Sequence, residues 1–377
     1  MSTKPLATGS ATRIRPASFE DYPGIARLLE KYKLDAKPAD EWAQLWEGNP
    51  AFDADRWAIG WIMEHARDGI VGYAGNVPLV YEFRGARLTA AATHAWVVEA
   101  AYRRSTFALV HRYFGQKDVD LLINASANYQ AGRIFEAMHG HQVPSPHADT
   151  ALFWISDGPG FASSFMRQKG LPASVILRHV LSGLTWGRGL VATRGRHRWD
   201  AAAWPEERVV SLSRFDERFD DFWDRLRAPG DLILCVRDSR TLTWHFRPAL
   251  AKDLVWIYAV PDGSRISAYA VFLRQDNAAV GLRRVRLVDF RALAGHEQCL
   301  GWVMSAALAR CREESVHMLE CVGFGGQTRS LLEAHAPYRR RLPACMFFYK
   351  AGDRQLNQDL TSAAHWDVCP YDGDGSL

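Results

Sequence analysis

Residues 100–109, AAYRRSTFAL, bring two arginines and two hydroxyls together as Arg103, Arg104, Ser105 and Thr106. Guanidinium groups beside hydroxyls and free backbone N–H groups are equipment for holding an anion, above all where a helix starts. A turn that lets phosphate approach the backbone usually carries glycine, and this one has none, so its hydroxyls must stand in for close backbone approach. Just upstream, His94 and Glu99 are groups able to take a proton. Successive strand residues face opposite ways, so these two share a face only if the strand bulges.

The second half offers a different set. Asp289 ends the apolar run LRRVRLVDF and Glu320 ends SVHMLE, so the two carboxylates are expected to converge near one cleft. Arg284, Arg286 and His296 lie close by in sequence, to neutralise them or to position a substrate. Two readings stay open: a substrate pocket, or a buried ion-pair set joining strand to helix. Tyr338, in APYRRRLP, is a proton donor on one reading and part of an exposed basic turn on the other.

These residues need elements to hold them. The strand THAWVV (93–98) precedes the arginine turn, and an apolar-striped helix follows from near Phe107 towards Gly115. Upstream, TRIRPASFEDYPGIARLLEKYKL reads as strand, capped turn and helix, with Ser18 and Asp21 spaced as a capping box. RVVSLSRFDERFDDFWDRLRAP repeats that order from residue 208. Hairpins at Asp68-Gly69 and Asp262-Gly263 follow in each half, then a strand, a helix, a strand and a further helix. Repeated order at similar spacing argues for an internal duplication. The expected fold class is therefore mixed α/β (α+β), with two domains, each a mixed, largely antiparallel sheet flanked by helices. Their bounds are 12–156 and 208–352, joined by a basic linker, 157–207, and followed by a tail, 353–377.

Composition limits what such a chain does. Nearly half of the 377 residues are hydrophobic and 23% are charged, which suits a globular chain with sizeable cores. A net charge of +4 does not mark a dedicated nucleic-acid binder. Between Gly158 and Trp199 there are seven Lys/Arg residues and no acidic one. The segment 167–198 therefore reads as a linker helix, or as a basic amphipathic contact for an acyl-carrier protein or a peripheral membrane surface. The polar start MSTKPLATGSATR lacks the apolar core of a secretory signal, and no apolar run is long enough to span a bilayer, so a cytoplasmic location is expected. The six cysteines contain no C-x-x-C pair, which fits reduced thiols, and no metal site is expected. The closing WDVCPYDGDGSL lacks the spacing of a calcium loop and reads as a docked or free tail. Oligomeric state is not legible.

The order of elements, VVEAAYRRSTFALV and NYQAGRIFEAMHGH together resemble the GNAT superfamily of acyl-CoA-dependent N-acyltransferases. Val98, Tyr102, Arg103 and Ala108 match the superfamily's pyrophosphate turn, and Asn128, Ala131 and Gly140 its later helix. Ala100, Thr106 and His141 replace the usual proline, glycine and phenylalanine, and Phe135 stands where a thiolate-protonating tyrosine is common. The resemblance spans about residues 12–150, and the second half shares it more loosely. It implies a coenzyme site made by Val98, Arg103, Arg104, Ser105, Thr106, Phe107, Ala108, Asn128 and Ala131. It also implies an acetyl-CoA cosubstrate and catalytic groups among His94, Glu99, Asp289, Glu320 and Tyr338. The implied reaction moves an acyl group, in the first instance acetyl, to an amine of a small molecule or a cell-envelope sugar precursor. The tandem arrangement also resembles the peptidoglycan-bridge aminoacyl transferases, which implies a charged-tRNA donor instead. A GNAT-fold binding module without activity is the third reading.

Overall fold

The computed structural model of the protein describes residues 12–145, 149–171, 208–343 and 346–377. The basic segment 167–198, beyond its first five residues, lies outside the described residues. In the first half, β1 (Arg13–Pro16), β2 (Gly60–His65), β3 (Gly69–Phe83), β4 (Ala86–Val98) and β5 (Leu121–Ala127) pair side by side in that order. β6 (His141–Gln142) and β7 (Thr150–Ile155) follow. In the second half β8 (Val210–Leu212), β10 (Val255–Asp262), β11 (Arg265–Arg274), β12 (Arg284–Ala292) and β13 (Met318–Cys321) repeat the arrangement, while the short β9 (Leu234–Cys235) pairs with β3. β14 (Tyr338–Arg341) and β15 (Met346–Ala351) close the series.

The sheets do not respect the boundaries at 156 and 352. β15 leaves the second half and pairs antiparallel with β5 and β6, completing the first sheet. β7 leaves the first half and lies between β13 and β14 in the second. Each half thus gives the other one inner strand, and β15 buries Phe348 and Tyr349 in the recipient. Strand edges that would template aggregation are paired instead, so the halves are interlocked.

Local sequence explains the elements around the site. The helix Tyr22–Lys31 sinks Ile25, Leu28 and Leu29 into the main core, after a capping box in which Ser18 and Asp21 satisfy each other's backbone end. That core runs continuously between the two sheets. A second core lies on the other face of the first sheet, under the helices Thr106–Phe114 and Tyr129–Ala137, where Tyr113, Phe114, Phe135 and Phe348 pack edge to face. Each half has one parallel pair, β4 with β5 and β12 with β13. β4 pairs with β5 only through Ala90–Ala92, and beyond that the strands part. The five described cysteines are buried and free, and no helix among the described residues is long and apolar enough to cross a membrane.

Candidate functional site

The central strand of the first half carries an irregularity that decides the site. Gly75 pairs with His94 and Tyr73 with Val97, so β4 spends one residue more than β3 across the same span. Ala95 takes up the excess at φ +53°, left-handed backbone that a residue with a Cβ rarely adopts. Neither Ala95 nor Trp96 has a register partner on either side. The bulge also resets the alternation. Ala90 and Ala92 face the main core before it and Val97 after it, whereas Trp96 and Val98 turn to the second core. His94 and Glu99 therefore do point to one side.

They do different work there. His94 lines a cleft of about 460 Å³ between the halves, with Ala95, Lys37 and, from the second half, His245, Gln275 and Ser376. Burial, helped by the charge of Lys37, pushes the His94 pKa down to about 4, so its ring is neutral near pH 7. His245 is held lower still, at about 3, again chiefly by burial, and its Nε2 lies 2.8 Å from Ser376 Oγ. Glu99 is occupied elsewhere, in an ion pair with Lys31 at 2.6 Å. Of the two predicted proton acceptors, only His94 opens onto the cleft.

The arginine turn is not the open backbone cradle that the sequence suggests. Ala100–Ser105 forms a 3-10 helix that runs into Thr106–Phe114. The Ala100 N–H donates to Tyr32 Oη, that of Tyr102 to Glu99 O and that of Thr106 to Arg103 O. With no glycine to take a left-handed step, the chain follows the right-handed path and spends these amides on itself. Arg103, Arg104, Phe107 and Ala108 remain exposed, and neither arginine pairs with a carboxylate among the described residues. The turn's capacity for anions thus lies in its guanidinium groups. Tyr102 pins it to the β2–β3 hairpin through Asp68. Ser105 caps no N–H with its side chain, and Val98 packs into the second core.

The later motif has a structural account. Asn128 caps the helix Tyr129–Ala137 by accepting the Ala131 N–H at 2.9 Å. Phe135 is fully buried in the second core, so no proton donor stands there. Tyr113 Oη lies within hydrogen-bond reach of Ala91 O and Ile123 O, a wedge where β4 and β5 part.

In the second half the two carboxylates do not converge. Asp289 is fully buried, held by Arg237, by Tyr269 Oη at 2.5 Å and by Cys369. Arg237 and Arg291 also bind Asp372, which fastens the chain's last residues into the sheet. The arginines keep the Asp289 carboxyl ionised against the cost of burial. Glu320 sits opposite Arg286 across the β12–β13 register and belongs to a separate cluster with Arg284, Arg286 and Arg340. Tyr338 stacks on Phe153 at the sheet edge, and His296 joins neither cluster. The tail is docked, and Asp374, Ser376 and Leu377 line the cleft. Asp374 crosses to the first half, 3.2 Å from the Ala125 N–H and 2.5 Å from Ser126 Oγ. Neither His245, in the middle of a helix, nor this crossing carries a local sequence signal; both come together only through the packing of the halves.

The geometry is now comparable with known proteins. No family model matches the chain, and no curated protein matches it. Solved structures do. A Saccharomyces cerevisiae N-myristoyltransferase with bound myristoyl-CoA aligns over 93% of this chain and 86% of its own, at 12% identity and a TM-score of 0.53. The fold is that of the GNAT superfamily. A GCN5-related N-acetyltransferase from Kribbella flavida aligns over 90% of this chain and 72% of its own, at 11% identity and a TM-score of 0.54. One from Anabaena variabilis covers 91% and 73%, at 11% identity and a TM-score of 0.51. At such identities the likeness shows the GNAT fold alone, and it extends over both halves.

Proposed function

We propose that this protein is an acyl-CoA-dependent N-acyltransferase whose first half receives the donor and whose acceptor amine enters the cleft between the halves. The observation that carries the reading is the bulge at Ala95, beside His94 and open to the cleft, at the level where β4 and β5 part. Backbone N–H groups at a bulge are suited to a developing oxyanion, and those of Ala95 and Trp96, which have no register partner, are the ones assigned that role here. His94 lines the cleft and, neutral near pH 7, can accept a hydrogen bond that orients the amine, while its pKa of about 4 leaves the amine's proton to pass to solvent. The amine nitrogen bonds to the thioester carbon, the C–S bond breaks, and the thiolate takes its proton from solvent, since Phe135 has none to give. Arg103 and Arg104 would hold the donor's phosphates as charged side chains.

Acetyl is the simplest acyl group for this site, a small-molecule or envelope-precursor amine the acceptor, and the cytoplasm the compartment. Five free, buried thiols suit reducing conditions. Calorimetric titration with acetyl-CoA tests the donor assignment. The protein should bind it, and R103A/R104A should bind it about tenfold more weakly, as loss of charged hydrogen bonds predicts. Absence of binding by the unaltered protein rejects the reading and leaves a binding module of the same fold.

A further inference from the structure

The Glu320 cluster carries more positive than negative charge. One fully buried carboxylate accepts from three arginines: Arg286 Nε at 2.7 Å, Arg284 Nη1 at 3.2 Å and Arg340 Nε at 3.1 Å. Three positive charges against one negative leave an excess of two. Asp276 offsets it only in part: its carboxylate is bonded to the Arg274 guanidinium and to the Arg284 backbone N–H, and from there it acts on the Arg284 charge. Burial, and after it repulsion by Arg286, lowers the pKa of Arg284. By contrast, Arg237 and Arg291 share the carboxylates of Asp289, Asp372 and Asp367, two charges against three, in a closed interior.

The unbalanced cluster is also reachable. Arg286 and Arg340 keep 30% and 42% of their side-chain surface. Cross-strand register puts Phe153 and Tyr338 in line with Arg286 and Glu320, so a stacked aromatic pair, centroids 5.2 Å apart, borders the charges. Gln275 joins the cluster to the cleft. It lines the cleft, its side-chain Oε1 accepts from Arg286 Nη1 at 2.9 Å, and its backbone carbonyl accepts from Arg284 Nε at 3.1 Å.

We infer that Arg284, Arg286 and Arg340, gathered on Glu320, form an anion subsite for the acyl acceptor, and that the acceptor is an amine whose far end carries a phosphate-type anion. A phosphate-type anion matches the uncompensated positive charge, and planar guanidinium groups suit its oxygens. The inference rests on the acyltransferase reading for the word acceptor, but the subsite can be tested without turnover.

The probes are O-phosphoethanolamine, ethanolamine and inorganic phosphate, each titrated by calorimetry into the full chain. The two phosphates should bind and ethanolamine should not. R286Q/R340Q should bind the phosphates about tenfold more weakly, the loss expected for removed charge-assisted bonds. The same variant should bind acetyl-CoA unchanged, and R103A/R104A should keep phosphoethanolamine. Equal phosphate affinity in R286Q/R340Q overturns the inference. So does acetyl-CoA affinity that falls in that variant, since the cluster would then hold the donor's phosphates. Loss of phosphate binding in R103A/R104A alone overturns it as well. Should R286Q/R340Q fail to fold by circular dichroism, the half-exposed R340Q replaces it with the same criteria. If the unaltered protein binds phosphoethanolamine through the cluster but never acetyl-CoA, the subsite stands and the donor reading falls.

Discussion

The two halves carry the same irregularity and use it in opposite ways. In the first, β4 gains a residue at Ala95; in the second, β12 gains one at Val288, between the pairs Val271–Asp289 and Phe272–Leu287. Around Ala95 the extra length opens onto the cleft. Around Val288 it is closed, because the Val288 carbonyl accepts the Tyr371 N–H at 3.1 Å and Asp289 is sealed in with Arg237 and Arg291. A duplicated backbone feature therefore opens onto a cleft in one half and anchors the tail in the other. A carboxylate at a strand end near a bulge is thus no evidence of catalysis unless it also reaches solvent or a cleft.

The most severe way to break this contrast is to remove the anchor. Arg237→Met leaves Asp289 and Asp372 buried with too little positive charge, and loss of one partner of such a group costs about 3–5 kcal/mol. Chemical denaturation should show that loss, with acetyl-CoA affinity nearly unchanged in protein that remains folded. A marked fall in that affinity would mean that the second half's cluster does more than hold the tail. Ala95→Val acts on the open side. A β-branched residue in left-handed backbone costs on the order of 1–2 kcal/mol, and distorting the bulge should lower kcat in an acyl-transfer assay more than it lowers stability. Val288→Ala, at the closed bulge, should affect stability only.

A further test concerns protons. His94 and His245 are folded at pKa values of about 4 and about 3, below the ordinary value of 6.5. Above pH 6.5 both states hold these rings neutral and nothing is gained or lost. As pH falls below 6.5 the unfolded chain takes up protons that the folded chain refuses, so stability declines down to about pH 4 for His94 and about pH 3 for His245. Denaturation midpoints measured from pH 7 to pH 4 should therefore slope less in H245F than in the unaltered protein. An identical slope would show that this ring is not held neutral in the cleft.

How much of this was legible depends on range. The capping box at Ser18 and Asp21, the hairpins at Gly69 and Gly263, and the helices after Phe107 and Asn128 follow from neighbours a few residues apart, and all are present. The condition that His94 and Glu99 need a bulge to share a face was readable, but the bulge itself was not. It is fixed by the pairing of β4 with β3, and the sequence HAWV carries no glycine to announce it. The arginine turn resembles a phosphate turn in which hydroxyls replace the usual glycine; that its amides are spent in a 3-10 helix, pinned by Tyr32 and Asp68 from distant elements, is visible only in the folded chain.

Sequence alone determined the duplicated order of elements and the two mixed sheets, because each is written in residue type and short-range periodicity; that Phe135 lacks a proton to give matters only through the resemblance. Tertiary structure decided the exchange of β7 and β15, the burial of Asp289, the excess of arginine around Glu320 and the cleft where His94 meets the tail. Those outcomes depend on which buried charges find partners from 20 to 135 residues away, and desolvation makes that choice only once the chain has folded.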